Sequence, residues 1–207
     1  MELLKFHYES IDENLQCQLL KLMQIEELGE FRLVGGTAFA LYLGHRQSED
    51  IDIFSVHPFD ADVIAEKLID TCNLHDASIG TNSVSGFIGE IKIDIIARRY
   101  PWLDDVVELD GIRIASLRDI AAMKLNAVSN RGCKKDFWDI AALLNHFTAK
   151  ELLSLFSERY PHINNWQVVR SLTYFDDAED DPDPIVLDNS TWEEVKTRLL
   201  ESARSFL

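Results

Sequence analysis

Val34-Gly35-Gly36-Thr37, followed by His45-Arg46-Gln47-Ser48-Glu49-Asp50-Ile51-Asp52-Ile53-Phe54, is the stretch on which the fold turns. Phe31 to Val34 reads as a short strand that ends at the glycine pair, Thr37 to Leu43 as a compact apolar helix closed near Gly44, and Ile51 to Ser55 as a second strand. Successive side chains on a strand point to opposite faces, so Asp50 and Asp52 share one face while Ile51 and Ile53 fill the other. Two carboxylates side by side repel unless a positive charge lies between them. A hard divalent cation, Mg²⁺ or Mn²⁺, suits such oxygen ligands. Gly35-Gly36 allows the backbone to approach a ligand closely. The helix behind it presents unpaired N–H groups and the positive end of its dipole, a phosphate site to which the Thr37 hydroxyl adds a donor. Arg46 is placed to pair with Asp50 or with a phosphate. Each feature alone has an ordinary reading: a tight turn, a solvated edge strand, a surface ion pair. Their order along the chain points instead to a metal–nucleotide site.

The pattern recurs downstream in Glu90-Ile91-Lys92-Ile93-Asp94-Ile95-Ile96. Ile91, Ile93 and Ile95 pack on one face, and Glu90, Lys92 and Asp94 line the other. A strand carrying Asp94 beside the Asp50/Asp52 strand gathers three carboxylates, enough to hold two metals ~3.5–4 Å apart for in-line phosphoryl displacement.

Around these strands the periodicity predicts an amphipathic helix over 8–28, a helix over 60–72 opened by Asp60, strands over 83–88 and 90–97 with a hairpin at Gly89, and a short strand at Ile112-Arg113-Ile114. Ser116 reads as the N-cap of a helix to about Ser129, with Asp119 at its third position; another runs from Lys135 to about Phe147. The order is mixed α/β first and nearly all helix afterwards. The expected division is therefore a sheet-based α/β core over 1–115 and a helical segment over 116–207 packed on it.

At this point the chain resembles the AbiEii/AbiGii toxin family of nucleotidyltransferases. The resemblance rests on Gly35-Gly36-Thr37 with Arg46, Ser48 and Asp50-Ile51-Asp52, then Lys92-Ile93-Asp94, then Asp119 to Ala127 with its Lys124, then Lys135-Asp136-Phe137-Trp138-Asp139, all in order over roughly 30–147. It implies a polymerase-β-like fold, a mixed sheet followed by a helical carboxy-terminal part. By resemblance Asp50, Asp52 and Asp94 are metal ligands, with Asp94 the general base toward an attacking hydroxyl. Lys124 and Asp136 serve nucleotide binding and catalysis, and Gly35, Gly36, Thr37, Arg46 and Ser48 complete the nucleotide site. The implied reaction moves an NMP from an NTP to a hydroxyl acceptor with Mg²⁺ or Mn²⁺. Many members are toxins with an antitoxin partner, some act in phage defence, and some modify tRNA ends. The alternative is an idle nucleotide-binding or regulatory module of the same fold.

Composition narrows the partners. Twenty basic against 36 acidic residues leave a net charge of −16, which argues against a general nucleic-acid coat, since such binding relies on a basic surface. Cys17, Cys72 and Cys133 are isolated in sequence and form no metal knuckle, as expected in a reducing cytoplasm. No apolar run approaches the ~20 residues of a membrane span, and Met1 to Lys5 lacks the pattern of a secretory leader.

Overall fold

The computed structural model describes residues 5–204, so the reading of the amino terminus at Met1 to Leu4 lies outside the described residues. The expected first helix over 8–28 is three pieces: a 3-10 turn at Tyr8–Ser10, α1 at Glu13–Met23, and a 3-10 turn at Glu26–Leu28. The break has a local cause. Asp12 is extended and its carboxylate accepts the Leu15 N–H at 2.6 Å, so a helix starts there and nothing continues through it.

The glycine-bearing stretch forms as expected. β1 is Arg32–Val34, α2 is Gly35–Leu43 with Gly44 left-handed behind it, and β2 is Ile51–Ser55. α3, Ala61–Cys72, is capped by the Asp60 carboxylate on two backbone N–H groups. Four more strands follow: β3 His75–Gly80, β4 Ser83–Ile88, β5 Ile91–Ala97 and β6 Val107–Leu109, with β7 Ile112–Ile114 completing the sheet. β6 turns into β7 through Asp110-Gly111, both at positive φ, the two-residue turn whose twist matches a hairpin.

The seven strands lie in the order β3-β4-β5-β2-β1-β7-β6. β2 runs parallel to β5 and β1 parallel to β7; the other pairs are antiparallel. In the β2–β5 pair Ile51 faces Ile93, Asp52 faces Asp94 and Ile53 faces Ile95. Alternation then sends the isoleucines into the core, each at most 1% exposed, and both carboxylates to the opposite face.

The chain from 117 onward is helical: α4 Leu117–Arg131, α5 Lys134–Leu143, α6 Ala149–Arg159, α7 Asn165–Ser171 and α8 Trp192–Ala203. Ser116 caps α4 by accepting the Asp119 N–H at 3.0 Å. α5 stops at Leu143, short of the expected Phe147. α4 packs against α2 and α5 against α8, where the Trp138 and Trp192 rings stack 5.3 Å apart. Residues 185–187 return to the sheet region, where Gln47 N–H donates to Ile185 O and Leu187 N–H to His45 O, each at 2.8 Å. The loop ahead of β2 is therefore fixed from the helical side.

Candidate active site

Gly35 and Gly36 each make room for a different side chain. Gly35 sits at φ +70, and a Cβ there would lie 2.8 Å from the Asp52 Cγ, inside van der Waals contact. At Gly36 a Cβ would lie 2.8 Å from an Arg46 terminal nitrogen and 3.1 Å from Ser48 Oγ. Val34 provides no side-chain cap, and among the described residues no side chain accepts from the first N–H groups of α2, which begin beside Asp52.

Thr37 was expected to offer its hydroxyl to a phosphate. It is 1% exposed, donates to the Asp50 carbonyl and bonds Ser48 Oγ at 3.0 Å. It thus holds Asp50 and Ser48 in place from below. Arg46 was expected to meet Asp50 or a phosphate. Its partner is Asp139, reached by Nε at 2.7 Å and Nη2 at 2.9 Å, with the residue 3% exposed. The cause is tertiary: α5 carries Asp139 beneath the loop, and a buried guanidinium demands a buried counter-ion.

Lys124 is buried, with Nζ 2.7 Å from both Asp136 Oδ1 and Asp139 Oδ2 and 5.3 Å from the Phe39 ring. Burial alone would lower the Lys124 pKa, but Asp139 and Asp136 hold it above the ordinary lysine value. The same logic acts in reverse on the acids. Burial would raise Asp139, yet Arg46 and Lys124 keep it well below the usual carboxylate range. Asp136 is likewise depressed against its burial by Lys124 and by Arg131, whose Nε lies 2.8 Å away. His45 Nε2 lies 2.7 Å from Asp139, which makes this aspartate the hub. The sequence offered Asp139 only as the last residue of the Lys135–Asp139 segment.

Asp52 differs from all of these. Among the described residues it makes no hydrogen bond or ion pair, and burial, then Asp94, then Asp50 push it up to about 6. Asp94 has its Oδ1 on Ser85 Oγ and its Oδ2 on Lys92 Nζ, each at 2.5 Å. Asp50 lies just ahead of β2 with Lys135 Nζ at 3.6 Å. Excess negative charge and an all-oxygen donor set fit a hard divalent cation. The carboxylates are not yet gathered for it: among the described residues no three His, Cys, Asp or Glu side chains form a ready metal cluster.

A cleft of ≈ 430 Å³ opens from Gly35 and Asp52 along α4. Its lining brings together Arg98, Lys124, Arg131 and Arg159 with Asp52 as the acid among them; Lys124 and Arg131 are paired with the buried aspartates of α5, and Arg159 with the buried Asp119. Arg98 and Arg131 escaped the sequence reading, since neither lies in a recognisable motif.

The family profile described as "Nucleotidyl transferase AbiEii toxin, Type IV TA system" matches residues 19–205. An uncharacterized protein of Aquifex aeolicus (strain VF5) is 31% identical over 195 residues, covering 91% of this chain and 94% of its own. Among solved structures, JHP933 from Helicobacter pylori superposes with a TM-score of 0.57 at 21% identity, over 95% of this chain and 93% of that one. MenT4, a nucleotidyltransferase toxin from Mycobacterium tuberculosis H37Rv, superposes with a TM-score of 0.56 at 14% identity, over 89% of this chain and 78% of that one. At these identities the two structures bear on the fold, which is of the nucleotidyltransferase type.

Proposed function

The chain belongs to the AbiEii nucleotidyltransferase toxin family, and from that premise we propose that it moves an NMP from an NTP to a hydroxyl acceptor at Asp52 and Asp94, with Mg²⁺ or Mn²⁺ that Asp50, Asp52 and Asp94 would hold. The observation that carries this reading is the register of β2 and β5, which sets Asp52 opposite Asp94 beside the glycine turn. The triphosphate lies toward the first N–H groups of α2 and the cleft lined by Arg98, Lys124 and Arg131, where Arg98 offsets its charge and Lys124 and Arg131, already paired with aspartates, donate hydrogen bonds. Lys124 is held by Asp136 and Asp139, so its ammonium reaches the ligand pre-oriented. Asp94 sits on the β4 side of Asp52, opposite the glycine turn. An attacking hydroxyl meets it there, and Asp94 takes the proton at a carboxylate oxygen. When bound, the cation would neutralise charge at the α-phosphate and would lower the pKa of the attacking hydroxyl.

Arg46, Ser48 and Thr37 act one step back, by fixing the loop that carries Asp50. The family's toxin role implies an antitoxin protein that silences the enzyme in its own cell. Incubating the protein with a cell lysate and NTP labelled at either the α- or the γ-phosphate tests the reaction. The α-label should pass to an acceptor with release of pyrophosphate and the γ-label should not. Transfer of the γ-label alone would replace the reading with kinase-type chemistry, and NTP binding with no transfer would leave an idle module.

A further inference from the structure

Two of the three carboxylates are each turned onto a lysine of their own side. Lys92, two residues before Asp94 on the same face of β5, places Nζ 2.5 Å from Asp94 Oδ2, and Ser85 on β4 holds the other oxygen. Lys135, in the first turn of α5, lies 3.6 Å from Asp50. Asp52 between them has no such ion-pair partner among the described residues. The lysines approach from different elements, one from the sheet and one from the helical part. Neither belongs to the buried network around Asp139.

We propose that Lys92 and Lys135 are a pair of internal counter-ions that hold Asp94 and Asp50 apart from Asp52 and must be displaced before a divalent cation binds. The proposal rests on the metal reading of the site and adds a competing cation to it. Two observations agree with it. The carboxylates are neighbours by register yet form no ready metal cluster among the described residues. Both oxygens of Asp94 are already occupied. Ammonium and divalent cation answer the same need, relief of carboxylate repulsion, so they exclude each other. Both lysines are about half exposed, Lys92 at 48% and Lys135 at 49%. Once displaced they extend into solvent and stay at the rim of the site as positive charges for an incoming polyphosphate. Lys92 is thus a positioning residue that acts through Asp94.

The strength of a half-exposed pair sets the size of the effect. Such pairs are worth at most ~1 kcal/mol, which converts to about fivefold in a binding constant. Removing Lys92 should therefore tighten Mn²⁺ binding by about fivefold, and removing both lysines should tighten it further. The test titrates Mn²⁺ alone, without nucleotide, into the wild-type chain, Lys92→Met, Lys92→Arg and Lys92→Met/Lys135→Met, and melts each in EDTA and in Mn²⁺. Displacement predicts tighter Mn²⁺ binding by Lys92→Met, a lower melting temperature in EDTA that Mn²⁺ restores, and wild-type behaviour for Lys92→Arg. Tighter binding with no loss of stability in EDTA would mean a general field effect and would overturn the counter-ion role. Equal Mn²⁺ affinity in all four chains would do the same while leaving the metal site intact. Failure of every chain to bind Mn²⁺ would remove the metal reading along with the proposal.

Discussion

Gly35→Ala is the perturbation in which backbone, packing and site chemistry are most tightly joined. An alanine held at φ +70 costs about 1–2 kcal/mol for the left-handed conformation alone. Its Cβ would also lie 2.8 Å from the Asp52 Cγ, so the carboxylate or the turn must move. Overpacking of that kind costs about 1–3 kcal/mol more. The sum is roughly 2–5 kcal/mol, which for a domain of this size lowers the melting temperature by roughly 4–20 °C. The effect on ligand binding should exceed the effect on stability, because the atom displaced is the carboxylate opposite Asp94 and the turn that moves carries the phosphate-facing N–H groups. Thermal melting and calorimetric titration of an NTP with Mg²⁺ separate the two. The expected result is a folded but less stable protein with NTP affinity reduced at least tenfold. A variant that loses stability while binding NTP as the wild type does would make Gly35 a turn residue and nothing more.

Other substitutions test the surrounding parts. Lys124→Met strips Asp136 and Asp139 of their shared buried cation. Chemical denaturation should show a loss of about 3–5 kcal/mol, against under 0.5 for a lysine on the surface. Asp52→Asn should stabilise the metal-free protein at pH 7 by about 1–2 kcal/mol. Asp52 is raised in the fold, so its ionisation costs stability as pH rises from about 4 to about 6, and the cost is full above 6. Melting scans with EDTA should therefore show the gain shrinking below pH 6 and vanishing near pH 4. Asp136 and Asp139 act with the opposite sign. Both are depressed, so their stabilisation is present above the unfolded carboxylate value of about 4 and is lost as pH falls below it. A toxin without its antitoxin should slow bacterial growth on expression, and Asp52→Ala should restore it. Normal growth with abundant folded wild-type protein would count against toxicity.

Much of this architecture was legible because alternation and capping are local. Asp60 and Ser116 mark helix starts by hydrogen bonds to N–H groups two or three residues away, and the isoleucines of β2 and β5 alternate with the aspartates they expose. What escaped was either weakly patterned or tertiary. β3 has all six residues exposed, so no apolar alternation marks it, and it exists by pairing with β4 at the sheet edge. β6 has only three residues. The expected helix over 8–28 carries helical periodicity across the Asp12 cap, which periodicity alone does not register. Within the site, the carboxylates and glycines were readable from spacing. The partner of Arg46 and the central place of Asp139 were not, because both depend on α5 packing beneath a loop some ninety residues earlier in the chain. Thr37 shows the converse: a hydroxyl in a phosphate-binding position by sequence is drawn inward by the Asp50 carbonyl.

Asp94→Asn separates a proton-accepting Asp94 from a structural one, by melting temperature and α-label transfer measured on one variant. Asp94 lies opposite Asp52 in the sheet, with its side chain 17% exposed. Loss of its charge removes one pairing with Lys92 and one repulsion with Asp52. The melting temperature should therefore stay within a few degrees of wild type, while transfer falls by ~10²-fold or more if Asp94 takes the proton. A marked drop in melting temperature with unchanged activity per folded molecule would contradict the account, because Asp94 would then serve the sheet and not the reaction.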